Sequence, residues 1–205
     1  MSQGLLIVLS GPSGVGKGTV NKRVRELLPN LKKSVSVTTR PRRPGEIDGV
    51  HYHFITKEQF DDLVQNDGLL EYAQVYQNFY GTPKKPVLEA LEKGEDMIFE
   101  LDIQGARLIK KAYSDCVRIF ISPPSIEELA NRLNLRGTET EEVKALRLSE
   151  TKKELEEAKY YDYIVVNNDI DEAAKKIVEI ISAEKAKTSR NIDKIDELLK
   201  GGSIT

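Results

Sequence analysis

The chain has 205 residues, 39% hydrophobic and 31% charged, with a formal net charge of -2 and a pI near 5.9. That length suits one domain, or one domain carrying an inserted subdomain. The balanced charge leaves no large positive field and argues against nucleic-acid binding, no apolar run approaches the ~20 residues that span a membrane, and the single Cys116 makes neither an internal disulfide nor a metal site.

Leu5–Leu9 (LLIVL) is a short apolar run ended by Ser-Gly-Pro, the pattern of a strand buried on both faces in a parallel sheet. No basic cluster precedes it, so it reads as a strand rather than a secretion signal, and a cytoplasmic location is expected. Gly11-Pro12-Ser13-Gly14-Val15-Gly16-Lys17-Gly18-Thr19 follows and contains G-x-x-x-x-G-K between a strand and a helix. Such glycines let successive backbone N–H groups turn toward one anion, and the helix N-terminus adds partial positive charge. Lys17 supplies a cation for the β- and γ-phosphates of a nucleoside triphosphate. Gly18 stands where Ser or Thr commonly offers Mg²⁺ a hydroxyl, so Thr19 or a water must substitute. Mg²⁺ itself is expected from the chemistry of triphosphates.

Thr19–Leu28 shows helical spacing at Val20, Val24, Leu27 and Leu28. SVSVTTR alternates like a strand, and PRRPGEIDG is a loop. His51–Ile55 reads as a strand, Lys57–Asn66 as a helix, and Leu69–Tyr76 and Asn78–Thr82 as short strands or turns. Pro83 suits the first turn of a helix running to Lys93. Met97–Leu101 and Val117–Ile121 are further buried strands, each followed by a helix, the first through Ala112 and the second from Ser125 to about Arg136. GTETEE is a polar loop with a capping pattern at Thr138 and Glu141, leading into a charged helix to Lys159. Tyr163–Val166 is the last core strand and Ile170–Ala186 the last core helix.

Alternation of strands and helices at both ends implies an α/β fold, a doubly wound parallel sheet with helices on both faces. The middle breaks that rhythm with short strands and many aromatics. The expected organisation is a phosphate-loop core at 1–32 and 84–186, with a lid at about 134–147 and an inserted mixed-sheet subdomain at 33–83. The polar tail 187–205 includes one weakly amphipathic helix (Ile192, Ile195, Leu198, Leu199) and reads as a frayed or partly disordered end. No feature assigns an oligomeric state.

The insert separates a kinase from other phosphate-loop proteins. Arg40, Arg42 and Arg43 cluster in TTRPRRPGE, and guanidinium forks pair with phosphate oxygens. Taken alone, such a run is commonly a solvated basic loop. Facing a phosphate loop, it is what a second, monophosphate substrate needs. Tyr52 and Tyr80 could donate phenols to the same phosphate, or be half-buried core aromatics.

GPSGVGKGT, SVSVTTRPRRPGEIDGVHY, EYAQV, NFYGTP, ELDIQGA, FISPPS, LRGTET and VVNND occur in the order found in guanylate kinases. The chain resembles that family over about Gly4–Ala183, and TTRxxRxGExxGxxYxF is the most specific part. The resemblance implies transfer of the γ-phosphate of ATP to GMP in purine nucleotide metabolism. It also implies a mobile lid closing over the donor. By the resemblance, the loop Gly11–Thr19, Arg132 and Asn167 bind ATP, and Lys17, Arg136 and Arg147 act on the transferred phosphate. Arg40, Arg43, Tyr52 and Tyr80 would hold the GMP phosphate, and Ser36, Glu71, Thr82 and Asp102 the guanine. Guanine offers N1–H and N2–H₂ as adjacent donors that one carboxylate accepts together, whereas adenine N1 presents a lone pair. Asp102 follows the strand at Met97–Leu101, and ligands bind at strand carboxyl ends in open α/β sheets. Glu100 is expected near the Mg²⁺ or the loop.

Three other classes fit the residues less well. A kinase for another monophosphate lacks a reason for Glu71 beside Asp102. A non-enzymatic scaffold domain would typically have lost Lys17 or the lid arginines. A GTPase switch needs an Asn-Lys-x-Asp motif, which the chain lacks.

Overall fold

The computed structural model describes residues 3–75, 77–134, 149, 151–201 and 203. Elements are numbered in chain order. The large sheet joins β1 (Leu6–Ser10), β2 (Lys32–Lys33), β7 (Met97–Glu100), β8 (Val117–Ser122) and β9 (Tyr163–Val166) in the order β2-β7-β1-β8-β9. Every pairing in it is parallel. The small sheet joins β3 (Val37–Thr38), β4 (His53–Phe54), β5 (Leu69–Val75) and β6 (Asn78–Pro83) in the order β4-β3-β6-β5. It is mixed: β3 runs parallel to β4, and β6 antiparallel to β3 and β5.

The apolar run at the N-terminus becomes the middle strand because both its faces find partners. Leu5, Ile7 and Leu9 pack with Val20 and Val24 of α1 (Lys17–Leu27) and with Ala174 and Ile177 of α7 (Ile170–Lys185). Leu6 and Val8 point the other way, onto Val87 and Leu91 of α3 (Lys84–Glu92) and Ala106 and Ile109 of α4 (Ile103–Ala112). This two-residue alternation between two helical layers is the doubly wound arrangement that the strand–helix rhythm predicts. The small sheet closes over its own core of Val37, Phe60 and Leu69, with Phe60 carried by α2 (Lys57–Gln65). Thr56 and Gln59 start that helix with a reciprocal capping box.

Several elements differ from expectation. β2 has no apolar signal, since its residues are lysines at the sheet edge that pair through backbone alone with Met97 and Ile98. Of SVSVTTR only Val37–Thr38 is strand, because the side chains of Thr38 and Thr39 bond the backbone of Phe79 there. Pro83 closes β6 and stands one residue before α3, with φ −58° and ψ 125°. Past α5 (Ile126–Asn134), residues 135–148 lie outside the described residues, and with them Arg136, Arg147 and the GTETEE loop. A helical stretch at 151–156 (α6) gives way to a 3₁₀ turn at Glu157–Tyr160, three residues short of the expected helix end. The tail is not frayed: Thr188–Leu199 is a regular helix, α8. Arg190 ties it to Asp115 at 2.6 Å, and the Asn191 amide donates to the Lys185 and Lys187 carbonyls. Among the described residues no helix is long and apolar enough to cross a membrane.

Candidate active site

The phosphate loop joins the carboxyl end of β1 to α1. Gly16 is the N-cap of α1 in the left-handed region, at φ 95°. A Cβ there would lie 2.7 Å from Asn167 Nδ2, so both the backbone and the close neighbour require glycine. Asn167, buried just past β9, donates its amide to the Val15 carbonyl at 2.8 Å and so anchors the loop. Lys17 lies along the loop, its Nζ donating to the Gly11 and Pro12 carbonyls at 2.7 and 3.1 Å. The Ser13 N–H meets a carboxylate oxygen of Glu154 at 3.4 Å, so a loop amide already attracts an oxyanion.

Beside the loop opens a cavity of about 620 Å³, lined by Gly14, Gly16, Thr19, Arg132, Asn167, Asn168, Asp169, Ile170 and Asp171. Arg132 is held by Glu128 at 2.8 Å and donates to the Asn167 carbonyl at 3.3 Å. Asn168, the adjacent candidate beside Asn167 in the sequence, lines the cavity too, and sequence reasoning missed the wall from Asp169 to Asp171. The signal was present in the VVNND run, where Asp169 caps α7 by accepting from the Glu172 N–H.

A second cavity of about 280 Å³ lies between the two sheets, lined among others by Ser36, Tyr52, Glu71, Tyr80, Glu100, Asp102 and Gly105. At one end two carboxylates converge. Glu71, on β5, accepts from the Thr82 hydroxyl of β6 at 2.7 Å. Asp102 caps α4 by accepting from the Gly105 N–H at 2.7 Å, and Glu71 Oε2 lies 3.5 Å from where a side chain at Gly105 would begin. Burial, against the Thr82 hydrogen bond, and the Asp102 charge push the Glu71 carboxyl up to about 7. A carboxylate desolvated this far is set up for donors that arrive with a ligand.

At the other side Tyr52 and Tyr80 meet edge to face, with ring centroids 5.9 Å apart. The Arg40 guanidinium sits 5.4 Å from the Tyr52 ring centroid. It is 9% exposed and forks onto Glu46, Nη1 to Oε2 at 2.9 Å and Nη2 to Oε1 at 2.7 Å. Neither arginine is among the residues that line the cavity; the Arg43 side chain is exposed, while its backbone N–H donates to Glu46 Oε2 at 2.7 Å. Glu46 escaped the sequence reading except as a letter of the motif.

Glu100 links the second cavity to the phosphate loop. It lines the second, and its Oε1 lies 3.3 Å from where a side chain at Gly18 of the loop would begin. Its Oε2 accepts from buried Asn21 at 3.4 Å. Among the described residues no cluster of three or more His, Cys, Asp or Glu is arranged to hold a metal.

This pairing of a triphosphate loop with a carboxylate-floored pocket has close counterparts. The chain matches the guanylate kinase family over residues 3–184. It is 48% identical over 204 residues to a guanylate kinase of Carboxydothermus hydrogenoformans, covering 100% of this chain and 99% of that one. It is 52% identical over 197 residues to one from Clostridium tetani, covering 95% and 93%. The crystal structure of guanylate kinase from Anaplasma phagocytophilum superposes with a TM-score of 0.78 at 38% identity, over 96% of this chain and 95% of that one. With a family model matched over residues 3–184 and relatives aligned end to end, the chain belongs to the guanylate kinase family.

Proposed function

We infer that the protein is an ATP:GMP phosphotransferase, moving the γ-phosphoryl group of ATP to GMP to give ADP and GDP in purine nucleotide metabolism. The observation that carries this is the convergence of Glu71, Thr82 and Asp102 in a cavity that shares Glu100 with the phosphate loop. Guanine N1–H and N2–H₂ supply the donors that the ionised Glu71 lacks, and adenine cannot. Ser36 and Asp102 complete the base site. Tyr52, Tyr80 and Arg40 take the GMP phosphate, and Arg43 joins from the rim. ATP phosphates lie on the amides of Gly11–Thr19, with its nucleoside in the cavity of Arg132, Asn167 and Asp169.

Transfer is then a matter of position and charge. The migrating phosphoryl group spreads negative charge over its equatorial oxygens, and cations aimed at them lower the barrier. Lys17 supplies one from the loop, and Arg136 and Arg147 supply others from the segment beyond α5. The GMP phosphate oxygen is already an anion, so no general base is required. Mg²⁺ would neutralise the triphosphate, and oxygen donors suit it. Thr19 lines the nucleoside cavity, whereas the Glu100 carboxylate stands against Gly18. Glu100, through water, is therefore the better-placed protein group, with the phosphates as the main ligands. A cytoplasmic location fits such a role.

The test is a coupled phosphoryl-transfer assay with ATP and Mg²⁺ across the monophosphates. GMP is expected to dominate, and faster turnover of AMP or UMP would overturn the reading. Lys17→Ala is expected to cut kcat by roughly 10²–10³; undiminished turnover would remove Lys17 from the catalytic role.

A further inference from the structure

Among the groups that this function does not absorb, Glu46 is the most constrained. It lies six residues after Arg40 in the loop between β3 and β4, and its side chain is 18% exposed. Both oxygens are engaged: Oε1 by Arg40 Nη2, and Oε2 by Arg40 Nη1 and the Arg43 N–H. The Arg40 fork, then the Arg43 amide, hold the Glu46 carboxyl down at about 2. It remains an anion through any physiological pH.

Counting donors shows what this contact does. A guanidinium carries five N–H groups in a fixed plane. Nη1 spends both of its own, on Glu46 Oε2 and on the Pro41 carbonyl at 2.8 Å. Nη2 spends its inner one on Glu46 Oε1. The Nε–H and the outer Nη2–H share the remaining edge, a spacing that matches two oxygens of a phosphate. The Tyr80 phenol, which lines the acceptor cavity, stands beside this guanidinium. The guanidinium also sits over the Tyr52 and Phe54 rings, at 5.4 and 5.6 Å from Cζ to the ring centroids.

We propose that Glu46 is a positioning residue for the acceptor phosphate: it clamps the end of the Arg40 guanidinium so that the Nε/Nη2 edge is presented to the phosphate of the monophosphate substrate. The same carboxylate fixes the Arg43 backbone, so one side chain registers both arginines of the motif. The competing role is the opposite one, in which Glu46 occupies Arg40 in place of the phosphate and must be displaced. The side-on edge argues for the first role, because the carboxylate and a phosphate use different N–H groups of the same fork. The proposal rests on the GMP-kinase reading only for the identity of the nucleotide.

The test compares Glu46→Ala and Glu46→Gln with the wild type, in steady-state kinetics and in calorimetric binding of GMP and of guanosine. Glu46→Ala is expected to raise KM for GMP about tenfold, the loss expected for freeing one charge-assisted contact. It should leave kcat and KM for ATP within about twofold, since it touches neither the loop nor the transferred group. Guanosine, which has no phosphate, should bind both forms alike. Glu46→Gln keeps an acceptor for the Arg43 amide and for Nη1 but turns an NH₂ group toward Nη2, so an intermediate loss is expected. Unchanged GMP affinity, or tighter GMP binding, would overturn the proposal, the latter in favour of Glu46 as a competitor. Equal weakening of GMP and guanosine would reduce Glu46 to support of the pocket wall. Binding is read without turnover, so failure of the wild type to phosphorylate GMP would sink the functional reading and leave this test standing.

Discussion

At the scale of single residues, Glu71 is the clearest case of a group shaped by its surroundings before any ligand arrives. Its carboxyl is raised from 4.5 to about 7 by burial, with Asp102 adding to the shift. If Glu71 reads guanine as proposed, recognition needs the ionised form, so kcat/KM for GMP is expected to fall as pH drops from 8 to 6, with the break near 7 in the free enzyme. Glu71→Gln should remove that break, and a pH profile corrected for the ionisation of the GMP phosphate reads it out. The variant presents an amide N–H to donors on the base, and the expected loss in kcat/KM for GMP is roughly 10²–10⁴-fold. Stability should move the other way. A carboxyl with a raised folded value contributes stability fully below the unfolded 4.5, and that contribution is gone once pH passes about 7. At pH 8 the wild type therefore carries the cost of a buried anion. Glu71→Gln is expected to unfold about 1–3 kcal/mol harder at pH 8, and denaturant melts at pH 5 and pH 8 would show the gain at pH 8 alone.

At the scale of elements, the parts legible in the sequence were those with a strong local pattern. LLIVL and MIFEL announced buried strands, and G-x-x-x-x-G-K announced the turn after the first of them; YIVV announced a strand, but one at the sheet edge with only Val165 buried. β2 was not legible, because two lysines pairing by backbone leave no side-chain signal. The helix of the tail was legible from its weak apolar stripe, but its order was not, because Arg190 and Asn191 anchor it rather than burial. In the site, residue types were readable but mutual contacts were not. Nothing in the spacing of Glu46 revealed that it holds Arg40, and nothing in NND revealed that the Asn167 amide reaches Val15. That anchor makes a prediction for the loop as an element. Gly16→Ala must leave the left-handed region or strain it, and its Cβ meets Asn167 Nδ2 at 2.7 Å. A loss of about 1–2 kcal/mol in stability is expected, together with a raised KM for ATP, because the amides that face the phosphates move with the cap. Thermal melts and ATP titration kinetics check the two halves.

At the scale of the whole molecule, the helices and the large sheet carry the stability, and α8 adds little. Ile119, fully buried in β8, packs in the same cluster as residues of β1, α1 and α7. Ile119→Ala is expected to cost about 2–5 kcal/mol, seen as a lowered denaturation midpoint at unchanged slope. A chain stopped after Lys187 loses the Arg190–Asp115 pair, whose Asp side chain is 69% exposed, and a helix whose Ile192, Ile195 and Leu198 are largely uncovered. Its midpoint should shift by less than about 1 kcal/mol, and its GMP turnover should persist. The strand order has a consequence of another kind. The phosphate loop leaves the end of β1, and Glu100 and Asp102 stand at the end of β7, its immediate neighbour in parallel register, Leu9 opposite Glu100. The gap between giver and receiver is thus measured by one inter-strand spacing, about 4.8 Å, a length no side-chain change can alter. The sheet is the ruler of the reaction, so loops around the rim are free to lengthen and diverge, whereas a strand slipped in between β1 and β7 would leave two intact nucleotide sites that could never exchange a phosphate.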